Sequence, residues 1–429
     1  MIDFMGISIL LGTFAVLMAL RVPIAFSLGI SSVCTALYLN IPLLFVAQKM
    51  VNGLNSFTFL AVPFFILAGQ IMTEAGISER LVRFADTLVG RIRGGIAQVN
   101  ILTSMLFGGI SGSSVADVAS VGSFLIPGMV RRGYSPGFST AVTVTSSVQG
   151  VLIPPSQNMI YYALAAGGLP ISKLFLAGYI PGVMIGLSMM VLCFIIAIVQ
   201  KHPRGERHSF KEALKITGEA SIGLFTIVII IGGIVAGIFT ATESAAVAAT
   251  YALFVGFFIY RTMTAKKALV VLRGSLETLA MVIAIIMTSS AFGFLLSFLK
   301  VPVVLSEAIF AISSDPIIVL LCINILLLFL GMLMDMGILI LILTPILLPV
   351  AVSIGVDPIH FGMIMLINLG MGLITPPVGT SLIVGCTIAK ISVESSLKNL
   401  LPFYVLMIVI LSMVTYFPQT SLFLPQLLG

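Results

Sequence analysis

Two short polar stretches interrupt apolar runs that otherwise carry few reactive side chains. The first, GGISGSSVAD, places the hydroxyls of Ser111, Ser113 and Ser114 among glycines. The second, GMLMDMG, holds the carboxyl group of Asp335. A hard cation accepts hydroxyl, carboxylate and carbonyl oxygens at about 2.3–2.5 Å. Because an acid is costly to bury among apolar residues, Asp335 is a candidate to bind a cation, a polyol or a proton.

A pair of prolines follows each polar stretch. VQGVLIPPSQN contains Pro154 and Pro155, and GMGLITPPVGT contains Pro376 and Pro377. A proline inside a helix removes a hydrogen bond at a cost of about 3 kcal/mol, and lipid offers the freed backbone no water. One such pair is typical of a packing kink. Two pairs, each after a small-residue stretch, favour helices broken to free carbonyls and amides for ligands.

The composition sets the class of protein. Over 429 residues the chain is 59% hydrophobic and 8% charged, which indicates a polytopic helical membrane protein. About ten apolar segments reach the roughly 20 residues of a bilayer span, the first near Ile7–Leu20 and the last near Leu400–Tyr416. The first has no cleavage site and is expected to be retained. Four cysteines lie singly in apolar segments and are interpreted as small buried hydrophobes: Cys34, Cys193, Cys322 and Cys386.

The chain contains an internal repeat. Adding 222 to each residue number aligns the two polar stretches and the two proline pairs without a gap. The alignment also matches Gly109 with Gly331, Pro127 with Pro349, Gly133 with Gly355, Pro136 with Pro358, and Gly150 with Gly372. Each copy therefore has an apolar segment that glycines and polar residues interrupt at its centre, interpreted as a re-entrant hairpin. A span broken at the proline pair follows it.

The charge pattern predicts how the copies lie in the membrane. Arg93 and Arg131 flank the first hairpin, whereas Asp315 and Asp357 flank the second. By the positive-inside rule, the first hairpin opens to the cytoplasm and the second to the other side. Both termini then lie outside and the halves are inverted. Of the 21 basic residues, 18 fall inside and three outside: Lys49, Lys173 and Lys300.

The predicted fold class is an all-α polytopic membrane protein with inverted-topology repeats, two re-entrant helical hairpins and two broken transmembrane helices. Such repeats are the architecture of secondary transporters. Amphipathic stretches at 77–92 and 301–312 predict interfacial helices, either arms that brace a moving part or plain connectors. The predicted divisions are scaffold spans and arm at 1–93, transport elements at 94–199, a cytoplasmic linker at 200–217, scaffold spans and arm at 218–315, and transport elements at 316–429.

Two further acids lie in or beside apolar segments, Asp117 and Glu243. Glu243 follows the end of a predicted span in TATESAA. Two roles are open for Glu243. It is either a functional acid or an acid that stabilises the first turn of a helix.

Four motifs together resemble one family across essentially the whole chain: GGISGSSVADVASVG, the downstream IPPS, GIFTATESAAVAA and GLITPPVGT. They are similar to the large membrane subunit, of DctM type, of tripartite ATP-independent periplasmic (TRAP) transporters. One departure is FTATES in place of FTPTEA, with Ala241 and Ser244, which weakens any role tied to that turn.

The resemblance implies an elevator mechanism in the bacterial inner membrane, Na⁺ as coupling ion with no organic cofactor, and no enzyme activity. It implies two partners, a small membrane subunit expected as a separate chain and a periplasmic substrate-binding protein. The first implied sodium site comprises Gly109, Ser111, Ser113, Ser114, Gly150, Ile153 and Pro155. The second comprises Gly331, Asp335, Gly337, Gly372, Thr375 and Pro376. The implied substrate residues are Ser114, Ser156, Asp335 and Thr380.

The expected substrate is a small organic acid of the sialic acid or C4-dicarboxylate class. An ionised Asp335 would repel a second substrate carboxylate at about 4 Å, which favours a hydroxyl-rich monoacid such as a sialic acid. The basic residues are scattered between spans and indicate no nucleic-acid partner.

Three other functions compete with this interpretation. A stand-alone cation-coupled carboxylate carrier would share the fold and differ only in needing no binding protein. The GISG around Ser111 matches an intramembrane serine protease, which needs a base within reach, but the histidines, His202, His208 and His360, lie in the linker or at a span edge. A channel would show polar rings in place of occluded hairpin tips. ATP-driven transport is excluded, since no GxxxxGK[ST] motif is present.

Overall fold

The architecture is built from helices alone. The computed structural model describes residues 3–55, 57–205, 209–313 and 315–428. Of the chain, 82% is helical, and the part described contains no strand, only an isolated bridge between Arg93 and Arg204. The predicted all-α class is confirmed. Helices satisfy their own backbone groups, which is what a chain of this hydrophobicity needs in lipid.

The helices of the first half are α1 Phe4–Ala19, α2 Ile24–Tyr38, α3 Leu43–Asn52, α4 Ala61–Glu74, α5 Ile77–Val89, α6 Gly95–Ser111, α7 Ser114–Arg131, α8 Pro136–Ser146, α9 Gln149–Leu152, α10 Gln157–Ala165 and α11 Ile171–Val199. Those of the second half are α12 Phe210–Ile227, α13 Gly233–Val235, α14 Ala241–Phe254, α15 Ala265–Phe298, α16 Val301–Ile312, α17 Pro316–Gly331, α18 Met336–Ser353, α19 Pro358–Gly372, α20 Thr380–Ala389, α21 Val393–Tyr416 and α22 Gln419–Leu428. A 3₁₀ turn precedes α4, and π-helical turns follow α12 and α14.

Fewer helices cross a membrane unbroken than the sequence predicts. Six of the described helices are long and apolar enough, or eight if two bent pairs each count as one span. The expectation of about ten full-length spans is therefore wrong. The first apolar segment, for example, forms the shorter α1, which ends at Ala19. Five apolar helices are of this shorter kind: α1, α2, α6, α19 and α20.

The helix bounds follow the 222-residue register. α7 spans Ser114–Arg131 and α18 spans Met336–Ser353, a shift of 222 at both ends. Gly133 and Gly355, just after these helices, have φ values of 87° and 85°. In both halves the proline pair is joined by a cis peptide bond. The repeat seen in the sequence is thus a repeat of structure.

In each half, a capping residue precedes the helix that follows the hairpin. The two capping residues occupy matched positions of the repeat. Ser135 and Asp357, 222 residues apart, each accept a backbone N–H bond at the start of α8 and α19. The next residue in each case is the N1 proline, Pro136 or Pro358, whose fixed φ suits a first turn. A side-chain acceptor at the N-cap satisfies one of the free N–H groups of the helix start. Sequence alone therefore fixes where these spans begin.

The helices form two packed groups. In the first, which we call the frame, α15 packs against α2, α3 and α4, and α4 also packs against α14. In the second, which we call the tip bundle, the two halves interleave: α7 packs on α20, α8 on α21, and α10 on α18.

Two short helices connect the groups at the places predicted for interfacial arms. α5 contacts α4 of the frame and α7 of the tip bundle, and α16 packs against α15 of the frame and α18 of the tip bundle. The first arm ends at Val89 and not at the predicted Ile92, because the chain turns after Gly90 and enters α6 through Gly94 with φ of 75°. The second arm, Val301–Ile312, has the predicted bounds.

Candidate functional site

The first tip is the turn between α6 and α7. α6 ends at Ser111, and Gly112 takes a left-handed conformation with φ of 60°, which a glycine adopts without a steric penalty. Ser113 then caps α7, and its hydroxyl accepts the N–H of Ala116 at 3.4 Å. Two of the three serines thus sit at a helix end and a helix start, with their hydroxyls close to the turn.

The first tip lies directly against the first break. A Cβ atom added to Gly109 would meet the Pro154 carbonyl oxygen at 3.1 Å, and one added to Gly112 would meet the Pro155 oxygen at 2.7 Å. Only glycine leaves room for this approach. No hydrogen-bond donor of the described residues reaches either carbonyl. Two free backbone oxygens therefore face the first tip, as the predicted cation site requires.

The second tip lies against the second break in the corresponding way. A Cβ atom on Gly372 would come within 2.4 Å of the carbonyl carbon of Gly331. The N–H of Val378, just after the second proline pair, donates to the carbonyl of Met332 at 3.2 Å. Asp335 caps α18, and its Oδ1 accepts the N–H of Gly337 at 2.9 Å. The structure thus brings together each predicted tip and its break.

The two tips face one small cavity between the halves, which we call the central cavity. Its volume is about 160 Å³. Its polar lining residues are Ser113, Ser114, Gln157, Asn158, Tyr161 and Asp335. The serines of one half and the acid of the other therefore share a single space, and Gln157, Asn158 and Tyr161 are contributors that the sequence analysis did not identify.

Ser114 joins the two halves directly. Its hydroxyl lies 2.5 Å from that of Ser147 and 2.7 Å from that of Ser381, and all three side chains are buried. Neither Ser147 nor Ser381 was predicted from the sequence. The repeat could not reveal them, since the register pairs Ser147 with Leu369 and Ser381 with Met159.

The other predicted residues divide into two kinds. Ser156 caps α10 and is fully buried, and its hydroxyl and that of Thr380 make no hydrogen bond in the part of the chain described. By contrast, the Thr375 hydroxyl, just beyond the end of α19, donates to the Met371 carbonyl at 2.7 Å. Of the remaining predicted positions, Ile153 is the extended residue that follows α9, and Gly150 packs against Gly108. Neither Ser156 nor Thr380 belongs to the described lining of the central cavity.

The first broken span is interrupted earlier than predicted. α8 ends at Ser146, a turn carries Ser147, and the four-residue α9 ends at Leu152 before the proline pair. In the second half, α19 runs without a break to Gly372. The early turn brings the Ser147 hydroxyl to Ser114.

The two other candidate acids have different surroundings. Glu243 forms a capping box: its Oε2 accepts both the N–H and the hydroxyl of Thr240 at 2.8 Å. That is the helix-terminal role left open by the sequence. Asp117 is 1% exposed, with the Ser104 hydroxyl beside it, and neither carboxyl oxygen makes a hydrogen bond of standard geometry.

A larger cleft separates the first tip from the frame. This cleft, of about 560 Å³, is lined by Gln70 of α4, Thr278 of α15, and Ser111 and Ser113 of the tip. Gln70 accepts a bond from Ser275 at 2.8 Å and donates to Thr278 at 3.3 Å. We call it the Gln70 cleft.

Comparison with known proteins identifies the family. The family described as "Tripartite ATP-independent periplasmic transporter, DctM component" matches residues 11–420. This chain belongs to that DctM family. The DctM component of a TRAP transporter is a permease, so the protein is not an enzyme, and its place is the bacterial inner membrane, where it is a multi-pass protein.

Relatives of this DctM component match it over most of its length. An uncharacterized protein, YgiK, of Salmonella typhimurium is 44% identical over 98% of this chain and 97% of its own. The C4-dicarboxylate TRAP transporter large permease DctM of Pseudomonas aeruginosa is 42% identical, covering 94% of each chain. The sialic acid TRAP transporter large permease SiaM of Vibrio cholerae is 40% identical over 89% of this chain and 90% of its own.

The fold of the DctM component also resembles a solved transporter. The crystal structure of the YdaH transporter of Alcanivorax borkumensis aligns with a TM-score of 0.65 over 87% of this chain and 88% of that one, at 14% identity. At that identity the likeness concerns the fold alone.

The surroundings of Ser111 agree with a permease. Its hydroxyl contacts only the backbone of Ser113, at 3.4–3.5 Å. His202 stacks on Tyr134, with ring centroids 4.1 Å apart, and His360 bonds Ser421. His208, with residues 206–207 of the predicted linker, lies outside the described residues. No described histidine is placed to activate Ser111.

Proposed function

We propose that this DctM component imports a small organic acid by sodium-coupled secondary transport. The observation that carries the proposal is the central cavity, where hydroxyls of the first tip and the carboxylate of Asp335 face each other across the repeat. Each tip also contacts the break of its own half, where backbone groups are free. In secondary transporters, such half-helix ends and unwound backbone bind substrate and coupling ions.

Two sodium positions follow from this arrangement. In the first half, the free carbonyls of Pro154 and Pro155 face the tip residues Gly109 to Ser114. In the second half, the corresponding position lies between Gly331 to Gly337 and Gly372 to Pro376. Carbonyl and hydroxyl oxygens are the ligands a hard monovalent cation accepts. The substrate lies between the two, against Ser114 and Asp335, whereas the unpaired hydroxyls of Ser156 and Thr380 lie outside the cavity lining.

The substrate class follows from the relatives and from charge. The relatives include permeases named for C4-dicarboxylates and for sialic acid. An ionised Asp335 repels a second carboxylate, by about 4 kcal/mol at 4 Å in a partly screened site. A hydroxyl-rich monoacid of the sialic acid class therefore suits this cavity better than a dicarboxylate.

Movement of the tip bundle against the frame would carry the site across the membrane as an elevator. The tips act as re-entrant hairpins, the halves are inverted, and α5 and α16 brace the moving part. A small membrane subunit supports the frame, and a periplasmic binding protein delivers the acid. The family is tripartite, which supports both partners.

Uptake into proteoliposomes tests the proposal. The complex of this chain and its small subunit is reconstituted, and labelled sialic acid or succinate is offered under an inward sodium gradient, with and without the binding protein. Accumulation that needs both sodium and the binding protein is expected. Uptake without the binding protein would instead establish a stand-alone carrier, and uptake indifferent to sodium would overturn the coupling.

A further inference from the structure

A second cleft separates the frame from the other side of the tip bundle. This cleft, which we call the Lys49 cleft, has a volume of about 430 Å³. Its polar lining residues all belong to the frame, which also contributes Ile286 and Phe294, and the tip bundle contributes only apolar residues. The polar residues are Lys49, Asn52, Ser289, Ser290 and Ser297, and the apolar ones facing them are Leu164, Ala165, Leu341 and Pro345. The cleft contains none of the residues assigned to the tips.

The ammonium group of Lys49 is held in place by two aromatic rings. Its Nζ lies 5.1 Å from the ring centroid of Phe45 and 4.8 Å from that of Phe294. These rings pack edge to face with centroids 5.1 Å apart. A cation over two ring faces is attracted by the electron density of both rings. The lysine is half-buried, and no acid of the described residues forms an ion pair with it.

A buried hydroxyl in the same cleft has no partner. Ser289 is 6% exposed, lines the cleft, and its Oγ makes no hydrogen bond in the described part of the chain. A buried hydroxyl without a hydrogen-bond partner is destabilising, and a ligand oxygen would supply the missing bond. The next residue, Ser290, donates to the Lys49 carbonyl at 3.0 Å and so fixes α3 against α15. The cleft therefore combines a positioned cation, an unsatisfied hydroxyl and a rigid wall.

The two clefts carry opposite charges along the same frame helix, α15. In the Gln70 cleft, the charged side chain among the described lining residues is the carboxylate of Glu74. In the Lys49 cleft it is the ammonium of Lys49. The charge pattern places Lys49 among the three basic residues on the outer side. An organic acid arriving from the periplasm thus meets the ammonium group of Lys49. The same acid leaving on the inner side meets the carboxylate of Glu74.

We propose that the Lys49 cleft is an entry site that binds the carboxylate of the substrate on its way to the tips. The ammonium of Lys49 pairs with the carboxylate, and Ser289 and Asn52 supply hydrogen bonds beside it. The apolar wall carries no competing donor. The inference rests on the proposed function, since it assumes that an organic anion passes from outside to inside.

Direct binding to the membrane complex tests the entry site. Labelled sialic acid or succinate, whichever the wild type accumulates, is titrated onto the reconstituted complex without the binding protein. Lys49→Gln is expected to weaken binding about tenfold, and Ser289→Ala about threefold, as for the loss of a charged and a neutral hydrogen bond. Lys49→Arg is expected to restore binding to near the wild-type value. Lys300→Gln, an exposed lysine assigned to the same side, serves as the matched control.

Uptake by the same variants separates the possible results. With the binding protein saturating, Lys49→Gln is expected to raise KM for the acid and to leave maximal uptake within about twofold. Unchanged binding by Lys49→Gln overturns the entry site. So does an altered requirement for the binding protein with unchanged acid binding, since Lys49 would then be a docking residue. Failure of the wild type to accumulate either acid would overturn the proposed function itself, a different outcome.

Discussion

At the scale of residues, Ser114 has more partners than any serine in either tip. Its hydroxyl links the first tip to Ser147 of its own half and to Ser381 of the other half. Removing it leaves two buried hydroxyls without this partner, at a cost of about 1–3 kcal/mol. We expect Ser114→Ala to lower sodium-driven uptake about tenfold or more, measured as initial rate in proteoliposomes.

Ser123→Ala is the matched control for this change. Ser123 lies on the same helix, is exposed, and bonds only the carbonyl of Ser120. Uptake by this variant is expected to equal that of the wild type. Equal rates for Ser114→Ala and Ser123→Ala would remove Ser114 from the site.

Asp335 both caps α18 and carries a carboxylate charge. One substitution separates the contribution of the cap from that of the charge. Asparagine caps a helix as well as aspartate does, so Asp335→Asn keeps the bond to Gly337 and removes only the charge. We expect sodium-dependent uptake to fall about tenfold or more while the melting temperature changes little. Asp357→Asn, at the start of α19 with the same capping geometry, is expected to transport normally. Parallel losses in both variants would mean that capping alone matters.

The sequence located the tips and breaks but only part of the residues around them. Glycines, proline pairs and an isolated acid mark the tips and breaks in an otherwise apolar chain. The sequence therefore predicted Asp335, Ser113 and Ser114 as site residues. Gln157 and Tyr161 were not, because a polar residue after a proline pair carries no sign of which way it faces. Ser381 was missed since its contact with Ser114 spans 267 residues.

At the scale of helices, glycine pairs set how closely each tip approaches its break. A Cβ atom on Gly372 would lie 2.4 Å from the backbone of Gly331, so Gly372→Ala must push α19 away from α17. Overpacking of this kind costs about 1–3 kcal/mol. We expect a lower melting temperature in detergent and loss of uptake. Gly218→Ala, in a helix where the added Cβ meets nothing within 4 Å, is expected to have neither effect.

His202 makes the linker sensitive to pH. Burial beside Tyr134 and Phe138 lowers its pKa below the ordinary 6.5, and its Nδ1 has no partner in the described chain. The unfolded chain therefore binds the proton more readily, and stability falls as the pH drops below 6.5 and through the lowered pKa. We expect the melting temperature of the wild type to fall between pH 7.5 and pH 5.5.

The variant His202→Phe isolates this contribution. Phenylalanine keeps the stacking and cannot be protonated, so its melting temperature is expected to change less over the same pH range. An identical pH dependence in the two proteins would assign the effect to other groups.

Helix starts were predictable and helix ends less so. Ser135 and Asp357 cap their helices through side chains that the sequence displays, and α18 begins at Met336 for the same reason. The arm ends at Val89 and α8 ends at Ser146, and no local pattern in the sequence marks either end. The count of spans failed since short apolar helices inside a bundle need not cross a full bilayer.

At the scale of the whole molecule, transport by an elevator requires the tip bundle to move past the frame. α15 of the frame meets α18 of the tip bundle where a Cβ on Gly293 would lie 3.6 Å from Cγ of Pro345. This proximity makes the two positions candidates for a disulfide cross-link. In a background without the four native cysteines, oxidised Gly293→Cys/Pro345→Cys is expected to lose uptake and to regain it on reduction.

Gly29→Cys/Thr288→Cys is the control cross-link. Its atoms lie equally close, with the Cβ 3.3 Å from Cγ2 of Thr288, but both helices belong to the frame. Oxidation is expected to leave its uptake unchanged. Full uptake by the oxidised Gly293→Cys/Pro345→Cys protein would contradict relative movement of the two groups.

The interleaving of the two halves has a consequence for biosynthesis. α7 packs on α20 and α8 on α21. Ser381, which bonds to Ser114, is synthesised 267 residues after it. At a synthesis rate of about 5–20 residues per second, the first half spends many seconds in the membrane before the bond between Ser114 and Ser381 can form. Although the chain descends from a duplicated unit, neither copy completes its fold alone. Assembly of the tip bundle therefore ends only when the last quarter of the chain has been inserted.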